Sequence, residues 1–159
     1  MIDETFREKL AAYCGRAFGA NGALTEVQRL SGGASMESWA FSYGGEAFVL
    51  RRLPAGLSPD DDGLRGVPLA TQADVIEQAR AAGVTAPEVR GRLQPEDGLG
   101  EGFIMSKAEG ETLPHKILGN PEFAEAESRL TEQCARELAA IHRIGMNPLL
   151  QSLEYFSPA

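Results

Sequence analysis

The sequence predicts an α+β fold: a five-stranded, mostly antiparallel sheet with one helix packed on it, a helix ahead of the sheet and a longer helix after it. Three observations carry this. Segments with strand character come as a group of three, then a helical stretch, then two more. Gly44-Gly45 joins two of those segments with a two-residue turn, which only an antiparallel hairpin allows. The segments do not alternate singly with helices, which excludes a doubly wound parallel sheet.

Asp3 to Phe18 reads as a helix, with Phe6, Leu10, Tyr13 or Cys14, and Ala17 or Phe18 at helical spacing. Asp3 and Glu4 suit the positive end of its dipole, and Gly19, Asn21 and Gly22 break it. Leu24 to Leu30 is the first strand. In the second, Trp39, Phe41 and Tyr43 alternate with Ser38, Ala40 and Ser42, the period of a strand with two unlike faces. Glu46 to Leu53 returns as the third strand until Pro54.

Ala55 to Pro68 is rich in Gly, Pro and Asp and reads as a loop. Its Asp60-Asp61-Asp62 run is a solvated stretch, because consecutive carboxylates point in different directions. Leu69 to Ala82 is helical, with Leu69, Ala73, Ile76 and Ala79 on one side, and Gly83 and Pro87 end it. Glu88 to Leu93 and Gly102 to Ser106 are the last two strands. Pro121 to Ile144 is the long final helix, with Phe123, Ala126, Leu130, Cys134, Leu138 and Ile141 as its apolar stripe.

Composition narrows the function classes. At 159 residues, 43% hydrophobic and 24% charged, the chain holds one ordinary domain, or one lobe and the start of another. No apolar stretch approaches the ~20 residues a membrane helix needs, and Met1 to Phe6 lacks the basic and apolar regions of a signal peptide. Cys14 and Cys134 form neither a disulfide framework nor a metal-spacing motif; both read as small buried hydrophobes, and a cytoplasmic location is the simplest expectation. A net charge of −8 argues against a nucleic-acid partner, which needs a basic stripe.

Three segments carry chemistry. Gly32-Gly33-Ala34-Ser35-Met36 joins two strands; glycine lets backbone N–H groups converge on a phosphate, and the Ser35 hydroxyl adds a donor. It is not a P-loop, since no Gly-Lys-Ser/Thr follows and no helix starts there. In Phe48-Val49-Leu50-Arg51-Arg52, the strand period puts Val49 and Arg51 on one face and Phe48, Leu50 and Arg52 on the other. Met105-Ser106-Lys107-Ala108-Glu109-Gly110 runs from the last strand into an extended linker. There a carbonyl and an N–H two residues apart face the same way, as the edge of an adenine ring requires.

Together these segments resemble the N-terminal lobe of the aminoglycoside phosphotransferase family, small-molecule kinases with a protein-kinase-like fold. The resemblance extends from about Leu24 to Ile144 and includes Gly83-Val84-Thr85-Ala86-Pro87-Glu88-Val89 at the helix-to-strand connection. It implies an N-terminal helix over 1–22, a kinase-like small lobe with ATP cradle and linker hinge over 23–110, and the start of a large lobe over 111–159. It places Arg51 where the family has a phosphate-binding lysine, Val49 over the adenine, and Gln72 where a glutamate orients that lysine. Met105 then guards the back of the pocket, the Ser106 carbonyl and the Ala108 N–H meet the adenine edge, and the Ser106 and Lys107 side chains are incidental.

The implied cofactors are ATP and Mg²⁺, and the implied partner is a small hydroxyl-bearing substrate, with no nucleic acid and no membrane. Nothing in the 159 residues matches the family's catalytic loop or metal-binding aspartate, so no catalytic and no metal residue is assigned. His115 and His142 receive no chemical role. The expectation is the ATP-binding part of a longer kinase, inactive by itself and prone to self-association through an uncovered sheet face and the final helix. The alternative is a nucleotide-binding or interaction module without catalysis, motivated by Arg51 and Gln72.

Overall fold

Asp3 begins the first helix by accepting a hydrogen bond from Thr5 N at 3.1 Å, replacing one of the partners that a helix start lacks. The computed structural model describes residues 3–30, 36–54 and 67–153. The elements, in chain order, are α1 Glu4–Phe18, β1 Leu24–Leu30, β2 Glu37–Tyr43, β3 Glu46–Leu53, α2 Leu69–Ala81, β4 Val89–Arg92, β5 Glu101–Ser106, α3 Pro114–Ile117, α4 Ala124–His142 and α5 Pro148–Gln151. The Asp60-Asp61-Asp62 loop lies outside the described residues.

The five strands form one sheet in the order β1-β2-β3-β5-β4, and every neighbouring pair is antiparallel. Gly44 and Gly45 turn β2 into β3 with φ of 60° and 88°, the double positive φ that a two-residue hairpin of this hand demands. The chain then crosses through α2 to the far edge, lays down β4, and returns with β5 between β4 and β3. The architecture is the one the sequence predicts.

The sheet separates two cores. On one face Phe6, Leu10, Tyr13 and Cys14 of α1 pack on Trp39, Phe41 and Tyr43 of β2, Phe48 and Leu50 of β3, and Ile104 of β5. Phe18 stacks on Phe48 at 4.8 Å between ring centres. On the other face Leu69 and Ala73 of α2 pack on Leu53 and Phe103, with Met36, Ile76, Val89 and Met105 around them. Gly91 in β4 permits the approach of α1, since a Cβ there would overlap the Tyr13 hydroxyl that donates to Arg92 O at 3.2 Å.

Several details differ from the sequence reading. β1 is interrupted by a bulge between Thr25 and Gln28, where Glu26 takes a positive φ of 54° and accepts from Ser42 Oγ at 2.8 Å. The long C-terminal helix is preceded by a single 3₁₀ turn over Pro121–Phe123, whose Asn120 side chain accepts from Glu122 N. Asn147 caps the short α5 in the same way. Helix α4 is tied back to the segment after α2: Thr85 N and Thr85 Oγ1 both donate to the Glu137 carboxylate, at 2.9 and 2.7 Å. Those bonds hold its pKa below the ordinary carboxylate value.

Cys134 corrects an expectation. It is exposed, as are Leu130, Leu138 and Ile141 on the same helix, whereas Cys14 is buried in the α1 core. A helix stripe is an apolar face only in potential, and no described element covers the stripe of α4. Burial pushes the Cys14 thiol up to about 12, so it stays protonated and unreactive at neutral pH. We therefore expect a water-soluble maleimide to label Cys134 alone in the native chain and both thiols in urea, read by intact mass; two native labels would place Cys14 at the surface.

Candidate functional site

The third strand sets the geometry of the site. Val49 lies between Ala40 of β2 and Met105 of β5, and Arg51 between Ser38 and Phe103. Phe48 and Leu50 go into the α1 core. Alternation therefore places Val49, Arg51 and Met105 together on the α2 side of the sheet, and Met36 packs there as well. Arg51 Nη2 lies 3.8 Å from Met36 Sδ. Gly32, Gly33, Ala34 and Ser35, the rest of the glycine-rich turn, lie outside the described residues.

Arg51 is an unusual cation. Its Nε is shielded from solvent and has no hydrogen-bond partner among the described residues. An unpaired buried donor costs on the order of 1–3 kcal/mol, so it marks a position with an unmet demand for an acceptor. The contact with Gln72 that the sequence suggests is absent among the described residues. Gln72 Nε2 donates instead to Val67 O at 2.6 Å, beside the start of α2. That start has no side-chain cap of its own, and the Gln72 amide takes up one of the nearby carbonyls. Glu77 does not take over the role: with Asp74 it holds Arg92 of β4, at 2.8 and 2.7 Å.

Arg52, one residue on, points the other way and is fully engaged. Its guanidinium pairs with Glu37 at 2.7 Å, donates to Leu99 O at 2.9 Å, and lies 4.2 Å over the Phe6 ring. Trp39 Nε1 donates to the same Glu37 carboxylate at 3.1 Å. Burial alone would raise the Glu37 pKa. The bonds from Trp39 and Arg52 and the charges of Arg52 and Arg29 outweigh that and hold it below its ordinary value. Two adjacent arginines thus have opposite environments, one satisfied and structural, the other with an open donor.

The linker closes the site on its other side. Lys107 N donates to Ala47 O at 3.0 Å and extends the β3–β5 ladder by one residue, while Ser106 N donates to Glu88 O at 2.8 Å on the β4 side. Past that point the ladder stops. The Ala108 N–H has no hydrogen-bond partner among the described residues.

A cavity of about 460 Å³ opens beside this linker. Ala40, Ser42, Gln28 and Lys107 are in its lining. Ala40 is the cross-strand partner of Val49, and Lys107 lies between the two linker residues singled out by the sequence. Sequence reasoning missed Ala40 and Gln28, although the β2 alternation put Ala40 on this face. A larger cleft of about 660 Å³ lies at the end of α1, against Phe18, Tyr43, Phe48 and Arg90. None of the predicted site residues lines either cavity; the smaller one holds their neighbours Ala40 and Lys107, and in the larger one Arg90 is already paired with Glu46.

Among the described residues no cluster of His, Cys, Asp or Glu could hold a metal ion, and no helix is long and apolar enough to cross a membrane. Buried Asp97 also escaped the sequence reading. It accepts from Gln94 N at 2.7 Å and pairs with Arg16 of α1, and so fastens the β4–β5 turn to the first helix, away from the site.

No curated protein sequence matches the chain at a significant level. Two solved structures share the fold. One is a candidate aminoglycoside phosphotransferase from Ralstonia eutropha JMP134, 21% identical, with a TM-score of 0.60 over 86% of this chain and 37% of that one. The other is the aminoglycoside phosphotransferase APH(4)-Ia, 19% identical, with a TM-score of 0.58 over 90% of this chain and 40% of that one. The chain therefore spans about two fifths of the length of either protein. Residues 26–157 match the phosphotransferase enzyme family from the β1 bulge to beyond α5, with all of the sheet but Leu24 and Thr25, and the linker, included. With most of its length inside that match, the chain belongs to the phosphotransferase enzyme family.

Proposed function

We propose that the chain is the ATP-binding lobe of a small-molecule kinase that transfers the γ-phosphate of ATP to a substrate hydroxyl. The observation that carries this is Arg51, a cation with an unpartnered buried Nε, on the same sheet face as Val49 and Met105 and beside the end of the glycine-rich turn at Met36. An adenine nucleotide fits what these residues offer. Val49, Ala40 and Met105 form an apolar platform, the linker keeps an open N–H at Ala108, and Arg51 supplies charge for the α- and β-phosphates. Gly32, Gly33, Ala34 and Ser35 would add backbone donors.

By the family resemblance, metal binding and the base that receives the hydroxyl proton would fall to other parts of a family-length protein. The lobe's own contribution is to bind and orient the nucleotide. A cytoplasmic location suits such an enzyme. The exposed stripe of α4 would seat a second copy when the 159 residues are alone.

A second reading, a nucleotide-binding module without catalysis, is favoured by one feature: no carboxylate pairs with Arg51 among the described residues, and Gln72 is turned away to Val67. Incubating a family-length protein with Mg²⁺, γ-labelled ATP and a panel of hydroxyl compounds separates the two. Label transfer to a small acceptor supports the kinase. ATP binding with no transfer to any acceptor supports the module.

A further inference from the structure

The Ser106 side chain, incidental by the sequence reading, makes an exchange that alters the linker. Ser106 N donates to Glu88 O at 2.8 Å. In a regular antiparallel ladder the Glu88 N–H would return the bond to the Ser106 carbonyl, because such residues exchange both bonds. Here Glu88 N donates instead to Ser106 Oγ at 2.9 Å. Nor does β3 reach that carbonyl: the bond from Lys107 N to Ala47 O fixes the alternation, so Lys107 and Met105 face β3 and Ser106 faces away. The Ser106 carbonyl thus accepts from no described residue, at the last step of β5, two residues before the equally unpaired Ala108 N–H.

We propose that the Ser106 hydroxyl is a positioning group that occupies the Glu88 N–H and so keeps the Ser106 carbonyl open for the exocyclic amino group of a 6-aminopurine nucleotide. The inference rests on the ATP-binding reading above and adds a determinant of base selectivity to it. Without the hydroxyl, the Glu88 N–H turns to the carbonyl, the ladder gains its regular rung, and the acceptor is lost to the ligand. A 6-oxopurine has no amino hydrogen to offer and gains nothing from the open carbonyl.

The test compares ATP with inosine triphosphate, titrated into the chain and into Ser106→Ala and Ser106→Thr, with affinities read from amide chemical shifts. Trp39 fluorescence, which reports the α1 face, checks that each variant is folded. One net hydrogen bond corresponds to a loss of roughly three- to tenfold in ATP affinity for Ser106→Ala, with inosine triphosphate changing less than about twofold. Ser106→Thr keeps the hydroxyl and should keep the wild-type preference for ATP. Equal losses for both nucleotides in Ser106→Ala, an unchanged ATP affinity, or a lost preference in folded Ser106→Thr would each overturn the proposal. A wild-type chain that binds neither nucleotide would instead overturn the ATP-binding reading, and this proposal with it.

Discussion

Arg52→Ala is expected to lower the folding stability by about 3 kcal/mol, the lower end of what removing one partner of a buried ion pair costs. The lower end applies because the two side chains keep 13% and 16% of their exposure. The loss comprises the pair with Glu37, the bond to Leu99 O and the cover over Phe6, and it leaves the Glu37 carboxylate short of its principal partner. For a chain of this size the midpoint of thermal unfolding should drop by about 10 °C. Arg29→Ala is the control: Arg29 pairs with the same carboxylate at 3.2 Å but is 58% exposed, and its removal should cost less than about 1 kcal/mol.

The same network sets a pH dependence. Glu37 is held below the ordinary carboxylate value, so its contribution is present above that ordinary value and is lost as pH falls through the lowered one. Arg52→Ala should flatten this acid-side loss. Urea unfolding followed by the fluorescence of Trp39, the single tryptophan, measures all three effects. A loss in Arg52→Ala no larger than in Arg29→Ala would show that the pair is solvated.

Arg51→Ala should act on ligand and hardly on fold. Its Nε has no partner to lose, so stability should change by less than about 1 kcal/mol. ATP, however, would lose a charge-assisted contact worth about 1.5–3 kcal/mol, a roughly ten- to hundredfold fall in affinity. Adenosine has no phosphates and should bind almost unchanged. Calorimetry on a family-length protein with both ligands gives the answer. Equal losses for ATP and adenosine would mean that Arg51 shapes the pocket without meeting phosphate.

Local periodicity made much of this legible. The alternation in β2 and β3, the Gly-Gly turn and the break at Pro54 were sufficient to orient Val49 and Arg51 together and Arg52 apart, as the register has them. What periodicity could not give was partnership. It placed Arg52 on the opposite face but could not say that Glu37, Leu99 and Phe6 would enclose it, because those residues come from β2, the β4–β5 turn and α1. Asp97 met Arg16 for the same non-local reason.

The remaining misses came from polar side chains that serve the nearest unpaired backbone group. Gln72 turned to Val67 O, and Ser106 took the Glu88 N–H in place of its own carbonyl. A helix wheel or strand period shows the direction of a Cβ and is blind to that competition. The Glu26 bulge left no sign either, since glutamate is not a residue that announces a positive φ.

The central claim is that nucleotide binds on the α2 side of the sheet and against the linker. Backbone amide shifts of the 159-residue chain during an ATP titration test it directly and tolerate weak binding. The account predicts that the largest shifts fall on residues 32–36, Val49, Arg51 and 106–108, with the amides of α1 unmoved. Shifts centred on Phe18, Tyr43 and Arg90, around the larger cleft at the end of α1, would contradict it.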